Sequence, residues 1–178
     1  MNINIRQELT KEYRLTEEVV KQSFLNETFS DKTEHRLVHR IRKSDAFIPE
    51  LSLVAINKDK EVVGHILLSK IKIINDNHSE ESLALAPVSV LPDYQNKGIG
   101  RFLILESLKK ANELGYNSVV VMGHPEYYPK FGFKKASLWK IKAPFEVPEE
   151  TFMALELREN ALDNVSGVVK YSSAFLTF

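Results

Sequence analysis

The run "SLALAPVSV", Ser82–Val90, constrains this chain most, because both of its faces are apolar or small. A strand of that kind is covered on both sides and sits centrally in a sheet. The loop "LPDYQNKGIGRF" comes next, and then a helical pattern from Ile99 to Leu114, with Ile99, Phe102, Leu103, Leu108, Ala111 and Leu114 apolar. Gly115 is placed to end that helix. "NSVVVMG" is a β-branched strand, and the intervening helix makes it parallel to the first. This strand–loop–helix–strand unit implies an α/β fold built on a mixed sheet.

The flanking segments fit that class. "LTEEVVKQSFLNETF" spaces Leu15, Val19, Val20, Phe24 and Leu25 as a helix, with Thr16 as its N-cap. "EHRLVHRIRKS" reads as a second, basic amphipathic helix whose charges form a solvated face. "LSLVAIN" and "EVVGHILLSKIKII" read as strands joined by the turn "KDKE", and "NDNHSEES" as a polar loop. "PEYYPKF" is a short helix or turn, and "GFKKASLWKI" and "TFMALEL" are further strands. The tail "DNVSGVVKYSSAFLTF" adds a hairpin strand or packs across a face.

Several functions are disfavoured. The 178 residues suit one domain. The 24 basic and 24 acidic residues cancel, which argues against nucleic acid or an anionic membrane as partner. The chain has no cysteine, so thiolate catalysis, disulfides and Cys-ligated zinc are excluded. "MNINIRQELTKEY" lacks the apolar core of a signal peptide, and no apolar run reaches the roughly 20 residues of a membrane helix. A cytoplasmic location is expected. His35 and His39 are spaced i, i+4, but Arg36 stands where a zinc protease needs Glu, so no metal is expected. His65 lies within a strand and reads as a packed or hydrogen-bonded side chain.

The two glycines of the loop raise the central question. A strand, a glycine turn and a helix N-terminus together can hold a phosphate on unpaired backbone N–H groups. A Walker A loop would end in Gly-Lys followed by Ser or Thr, whereas Lys97 precedes the first glycine and Arg101 follows the second. A dinucleotide fingerprint would carry a third glycine where Leu103 stands. The pattern left is Gln-x-x-Gly-x-Gly: Gln95, Asn96, Lys97, Gly98, Ile99, Gly100.

On that motif the chain resembles the GNAT acyltransferases, whose loop of this type binds the pyrophosphate of acetyl-CoA. "YYPKFGF", Tyr127–Phe133, is similar to the family's Tyr-x-x-x-Gly-Phe element. Similarity in detail spans roughly Leu83 to Ala136, and "APVSVLPDYQNKGIG", "VVVMGHPEYYPKFGF" and "FMALEL" together resemble the bacterial YhbS-like branch. The resemblance implies a GNAT fold over residues 1–158, with 159–178 a C-terminal extension packed on it. It also implies acetyl-CoA as cofactor and an N-acetyltransferase acting on a small-molecule amine by direct attack in a ternary complex.

The resemblance also implies residue roles. Val88 would offer a backbone N–H to the thioester oxyanion, with Ser89 beside it, and Val90 would pair with the pantetheine arm. Gln95, Asn96, Lys97, Gly98, Ile99, Gly100 and Arg101 would meet the pyrophosphate. Tyr128, four residues before Gly132, would protonate the departing thiolate; Tyr127 is the alternative if the segment is rotated. Ala84 occupies the position where some members carry a glutamate, so the base is open. His124, Glu126, Glu80 and Glu81 are candidates, as is ordered water or an acceptor of low pKa. The phenylalanine-rich tail lines the acceptor side or forms a homodimer contact. Two rivals stand beside this reading: a non-catalytic acyl-CoA-binding module on the same fold, and a nucleotide-binding protein that uses the loop for ATP.

Overall fold

Two strands and the bulge between them organise the computed structural model, which describes residues 2–175. Strand β3 (Val62–Ile74) and strand β4 (Ser79–Val90) form a long antiparallel pair. Leu68 faces Leu85 and Ile66 faces Val88, so two steps along β3 meet three along β4. The extra residue bends β4. Strand β5 (Ser118–Met122) pairs with β4 in parallel only at Leu83–Val119 and Ala84–Val120. Beyond Ala84 the two strands part.

The other strands are β1 (Asn4–Gln7), β2 (Ser52–Ile56), β6 (Lys134–Lys135), β7 (Ile141–Lys142), β8 (Phe152–Glu156) and β9 (Gly167–Lys170). The sheet runs β1-β2-β3-β4-β5-β8-β6 among the described residues, with β9 on β3 beyond the end of β2, and β7 on β9. Helix α3 (Ile99–Glu113) covers one face, burying Leu103, Ile104 and Leu108 against Ile66, Leu68 and Leu85. Helices α1 (Tyr13–Phe24) and α2 (Glu34–Arg42) cover the other, where Val20, Val38 and Ile41 pack on Leu67. The parallel β4–α3–β5 unit follows the sequence expectation.

Several expectations need correction. Thr16 is not an N-cap. Helix α1 starts at Tyr13, after a turn in which the Glu12 carboxylate accepts the Leu9 N–H at 2.8 Å and pairs with Arg6, and Thr16 is buried inside the helix. The polar loop shrinks to Asn75–His78, because Ser79–Ser82 pair with the end of β3. "GFKKASLWKI" is broken by a 3-10 turn over Ala136–Trp139, where Lys140 turns left-handed at φ 59°. The tail strand β9 joins β3 and β7 rather than a neighbouring hairpin. The final residues 176–178 of the expected tail lie outside the described residues.

The basic face of α2 is not wholly solvated either. The Arg42 side chain is buried, with Glu8 at 2.5 Å and Glu17 at 2.6 Å, and its guanidinium lies 4.0 Å above the Tyr13 ring. A buried guanidinium needs such partners to offset its lost hydration. This network ties the segment after β1 to both helices.

Candidate active site

The parted end of β4 forms the wall of a cleft of about 540 Å³. Val88, Ser89 and Val90 line it, with Gln95, Asn96, Gly98, Ile99, Gly100 and Arg101 at one end. The Gln95 amide N–H donates to the Val90 carbonyl at 2.9 Å and ties the loop to the strand. Asn96 and Gly98 both take positive φ, 61° and 86°. Only glycine takes the second without strain. That turn directs the chain into α3, whose first intrahelical bond runs from the Phe102 N–H to the Gly98 carbonyl at 3.1 Å. The N–H groups of Ile99, Gly100 and Arg101 therefore have no partner within the helix. Buried Ile99 anchors this end to the core. The result is a positive, backbone-lined end of a cleft, suited to an anion.

Lys97 does not line the cleft; its ammonium lies 5.7 Å from the centre of the Tyr94 ring. Ser23 and Phe24 of α1, Glu27 just beyond its end, and Tyr94 complete the walls. Sequence reasoning missed these four. Ser23, Phe24 and Glu27 come from a segment some 65 residues upstream of the cleft strand, and no local pattern links them to the loop.

The tyrosine pair splits. Tyr127 lines the cleft, and a Cβ added at Gly100 would lie 4.0 Å from its hydroxyl. Burial pushes its phenol up, and nearby Arg101 opposes that. Tyr128 turns inward. Its ring packs edge-on against Tyr127 and Phe133, with centroids 5.2 and 5.7 Å apart. It also lies flush on Gly123, where an added Cβ would come within 2.3 Å of the ring. Burial, with a smaller effect from Tyr127, pushes the Tyr128 phenol up to about 12.

The base candidates are scattered. His124 and Glu126 are exposed and line neither the cleft nor the cavity described next. Glu80 is engaged by His78 at 2.8 Å, and Glu81 lies by a separate groove. His65 is fully buried beneath the sheet face, as its strand position suggested.

A second cavity, of about 810 Å³, opens where β4 and β5 separate. Ala84, Leu85 and Ala86 wall it, so one strand borders both spaces with only Pro87 between. Leu37 of α2, Val120 and Met122 of β5, and Tyr171 and Phe175 of the tail enclose it.

A bulged strand and a glycine loop at a helix N-terminus thus meet around one cleft, joined there by Tyr127, which directly precedes the Tyr-x-x-x-Gly-Phe turn. The acetyltransferase (GNAT) family model matches residues 6–133. The chain belongs to this GNAT family. Over 156 residues it is 31% identical to the uncharacterized N-acetyltransferase YhbS of Escherichia coli (strain K12), covering 88% of this chain and 91% of that one. The crystal structure of E. coli YhbS in complex with CoA superposes with a TM-score of 0.88 at 28% identity, covering 100% of this chain and 94% of that one. A GNAT acetyltransferase from Brucella melitensis in complex with acetyl-CoA gives 0.80 at 31% identity, covering 98% of each. The GNAT fold and the YhbS-like resemblance read from the motifs are thereby established.

Proposed function

We propose that this GNAT protein moves the acetyl group of acetyl-CoA to a primary amine of a small-molecule acceptor, by direct attack in a ternary complex. The observation that carries the proposal is the shared wall: Val88–Val90 border the anion-ended cleft and Ala84–Ala86 border the apolar cavity. A cofactor along the first would present its thioester to an amine in the second. The complexes of the E. coli and Brucella relatives with CoA and acetyl-CoA support that choice of cofactor.

In this mechanism the pyrophosphate rests on the N–H groups of Gly98–Arg101, and the pantetheine arm pairs with β4 at Val90. The amine nitrogen attacks the thioester carbon, and the oxyanion takes the Val88 N–H. Such a donor contributes about 10²–10³ in rate. The C–N bond forms, the C–S bond breaks, and the proton lost by nitrogen ends on the thiolate. The Tyr-x-x-x-Gly-Phe resemblance assigns the hydrogen bond to that sulfur to Tyr128, whose ring packs against Tyr127 at the cleft wall. With its phenol near 12, Tyr128 is protonated throughout the working pH range and cannot itself serve as the base. Outright transfer to a thiolate of pKa near 8.5 would be uphill by roughly 5 kcal/mol, so its proton passes only as the nitrogen's proton replaces it. Tyr127, which lines the cleft near Gly100, would lie along the cofactor. His124 would act only through water, given its exposure. Thiol release measured across a panel of amines tests this function. Amine-dependent release supports it, and coenzyme A binding with no release for any amine refutes it.

A further inference from the structure

Among the described residues, the 810 Å³ cavity presents only two titratable side chains, the Lys170 ammonium and the Tyr171 phenol. Burial pushes that phenol up to about 12, so it stays neutral. Among the described residues, no carboxylate or imidazole lines the cavity to hold an ammonium or to take its proton. Phe145 and Tyr171 stack nearly parallel, with centroids 6.1 Å apart at 16°, and Phe175 leans on Tyr171 at 5.0 Å. The rim is open and apolar: Met122, Phe145 and Val168 are 53%, 46% and 44% exposed. Beside it runs a groove that shares Lys170 and Tyr171. Arg40, Lys43, Lys70 and Lys72 join Lys170 there, against Asp45 and Glu81 alone. A polycation approaching this mouth meets a repulsive field. A lone ammonium entering the cavity loses its hydration and meets no counter-ion among the described residues.

We infer that the acceptor is an apolar aromatic amine of low basicity, neutral when it binds. This rests on the acetyltransferase reading of the site. The volume suits such a ligand, and the aromatic wall offers a face for ring packing. A neutral aryl amine attacks without prior deprotonation, which fits a cavity whose described lining offers no carboxylate or imidazole as base. Its nitrogen loses one proton only as the C–N bond forms, and the departing coenzyme A thiolate takes up one proton.

The test uses two acceptors of matched shape, 4-ethylaniline and 2-phenylethylamine, with spermidine as polycation, and thiol release at pH 7 with saturating acetyl-CoA. The expected kcat/KM for 4-ethylaniline exceeds that for 2-phenylethylamine at least tenfold and that for spermidine at least a hundredfold. A reversed order overturns the inference, because the aromatic wall would then be holding a cation. Val168→Glu puts a carboxylate on the exposed rim. It should shift preference toward 2-phenylethylamine at least tenfold with acetyl-CoA affinity unchanged, and an unmoved preference contradicts the placement. Binding of the amide N-(4-ethylphenyl)acetamide to the coenzyme A complex, by calorimetry, separates the two claims. Amide binding to wild type, weakened by Val168→Glu, with no thiol release from any amine, sinks the acetyl-transfer reading but supports the cavity's ligand class. Coenzyme A binding with no amide binding overturns the ligand class.

Discussion

Acidification should destabilise this fold through His65, by an amount the structure allows to be worked out. The imidazole is fully buried on β3, and its Nε2 lies 2.9 Å from the Ser52 hydroxyl. That hydroxyl donates its only proton to Glu8 at 2.7 Å. Nε2 must therefore carry the imidazole hydrogen and donate it to Ser52, which leaves Nδ1 as a lone pair, and Nδ1 has no partner. Protonating Nδ1 would create a buried cation near Arg42. Desolvation first and Arg42 second push the pKa from 6.5 down to about 3.

Between these values the unfolded chain binds the proton and the folded chain does not, so stability falls as pH falls through this window. The contribution is fully present above 6.5 and is lost progressively toward 3. From pH 7 to pH 5 the loss is about 2 kcal/mol. His65→Gln keeps a donor toward Ser52 without titrating, so its difference from wild type cancels the other ionisations. Urea unfolding at pH 7 and pH 5 should show wild type losing about 2 kcal/mol more than the variant. Equal losses would refute the assigned tautomer and its isolation.

Gly98→Val should fold, since nothing lies within 4 Å of the added Cβ, but φ of +86° costs it about 1–3 kcal/mol. The thermal shift given by acetyl-CoA should vanish, and a retained shift would remove the loop from the cofactor site. Tyr128→Phe should lower kcat about 10²-fold with cofactor affinity kept, whereas Tyr127→Phe should weaken cofactor binding with kcat little changed; the opposite pattern in steady-state kinetics would exchange their roles. Gly123→Ala should displace the Tyr128 ring and cost about 1–3 kcal/mol by overpacking. Unaltered melting and turnover would show that the ring is not fixed there.

The central unit was readable because its signals are local. A two-sided apolar strand, a left-handed glycine and a helix of regular spacing each announce themselves within a few residues. Strand β1 was not readable, since four residues with Ile5 as their only aliphatic carry no periodicity; the strand exists because β2 offers an edge. The Thr16 error came from reading a cap by residue type, when the Glu12 pairing with Arg6 had already started the helix. The buried state of Arg42 depends on Glu8 and Glu17, each at least 25 positions away. The loop residues of the cleft were legible for the same local reason as the strand before them. The split between Tyr127 and Tyr128 was not, because it turns on the rotation of one short 3-10 turn seated on Gly123. The apolar cavity was equally hidden, being assembled from α2, β4, β5 and the tail.

Acetyl transfer is followed most directly with acetyl-CoA carrying an isotope in the acetyl group, by mass spectrometry of products and intact protein. One labelled acetyl should appear on the acceptor nitrogen for each coenzyme A thiol released, while the protein stays unlabelled. Label left in acetyl-CoA, released as acetate, or bound to the protein would contradict direct transfer across β4.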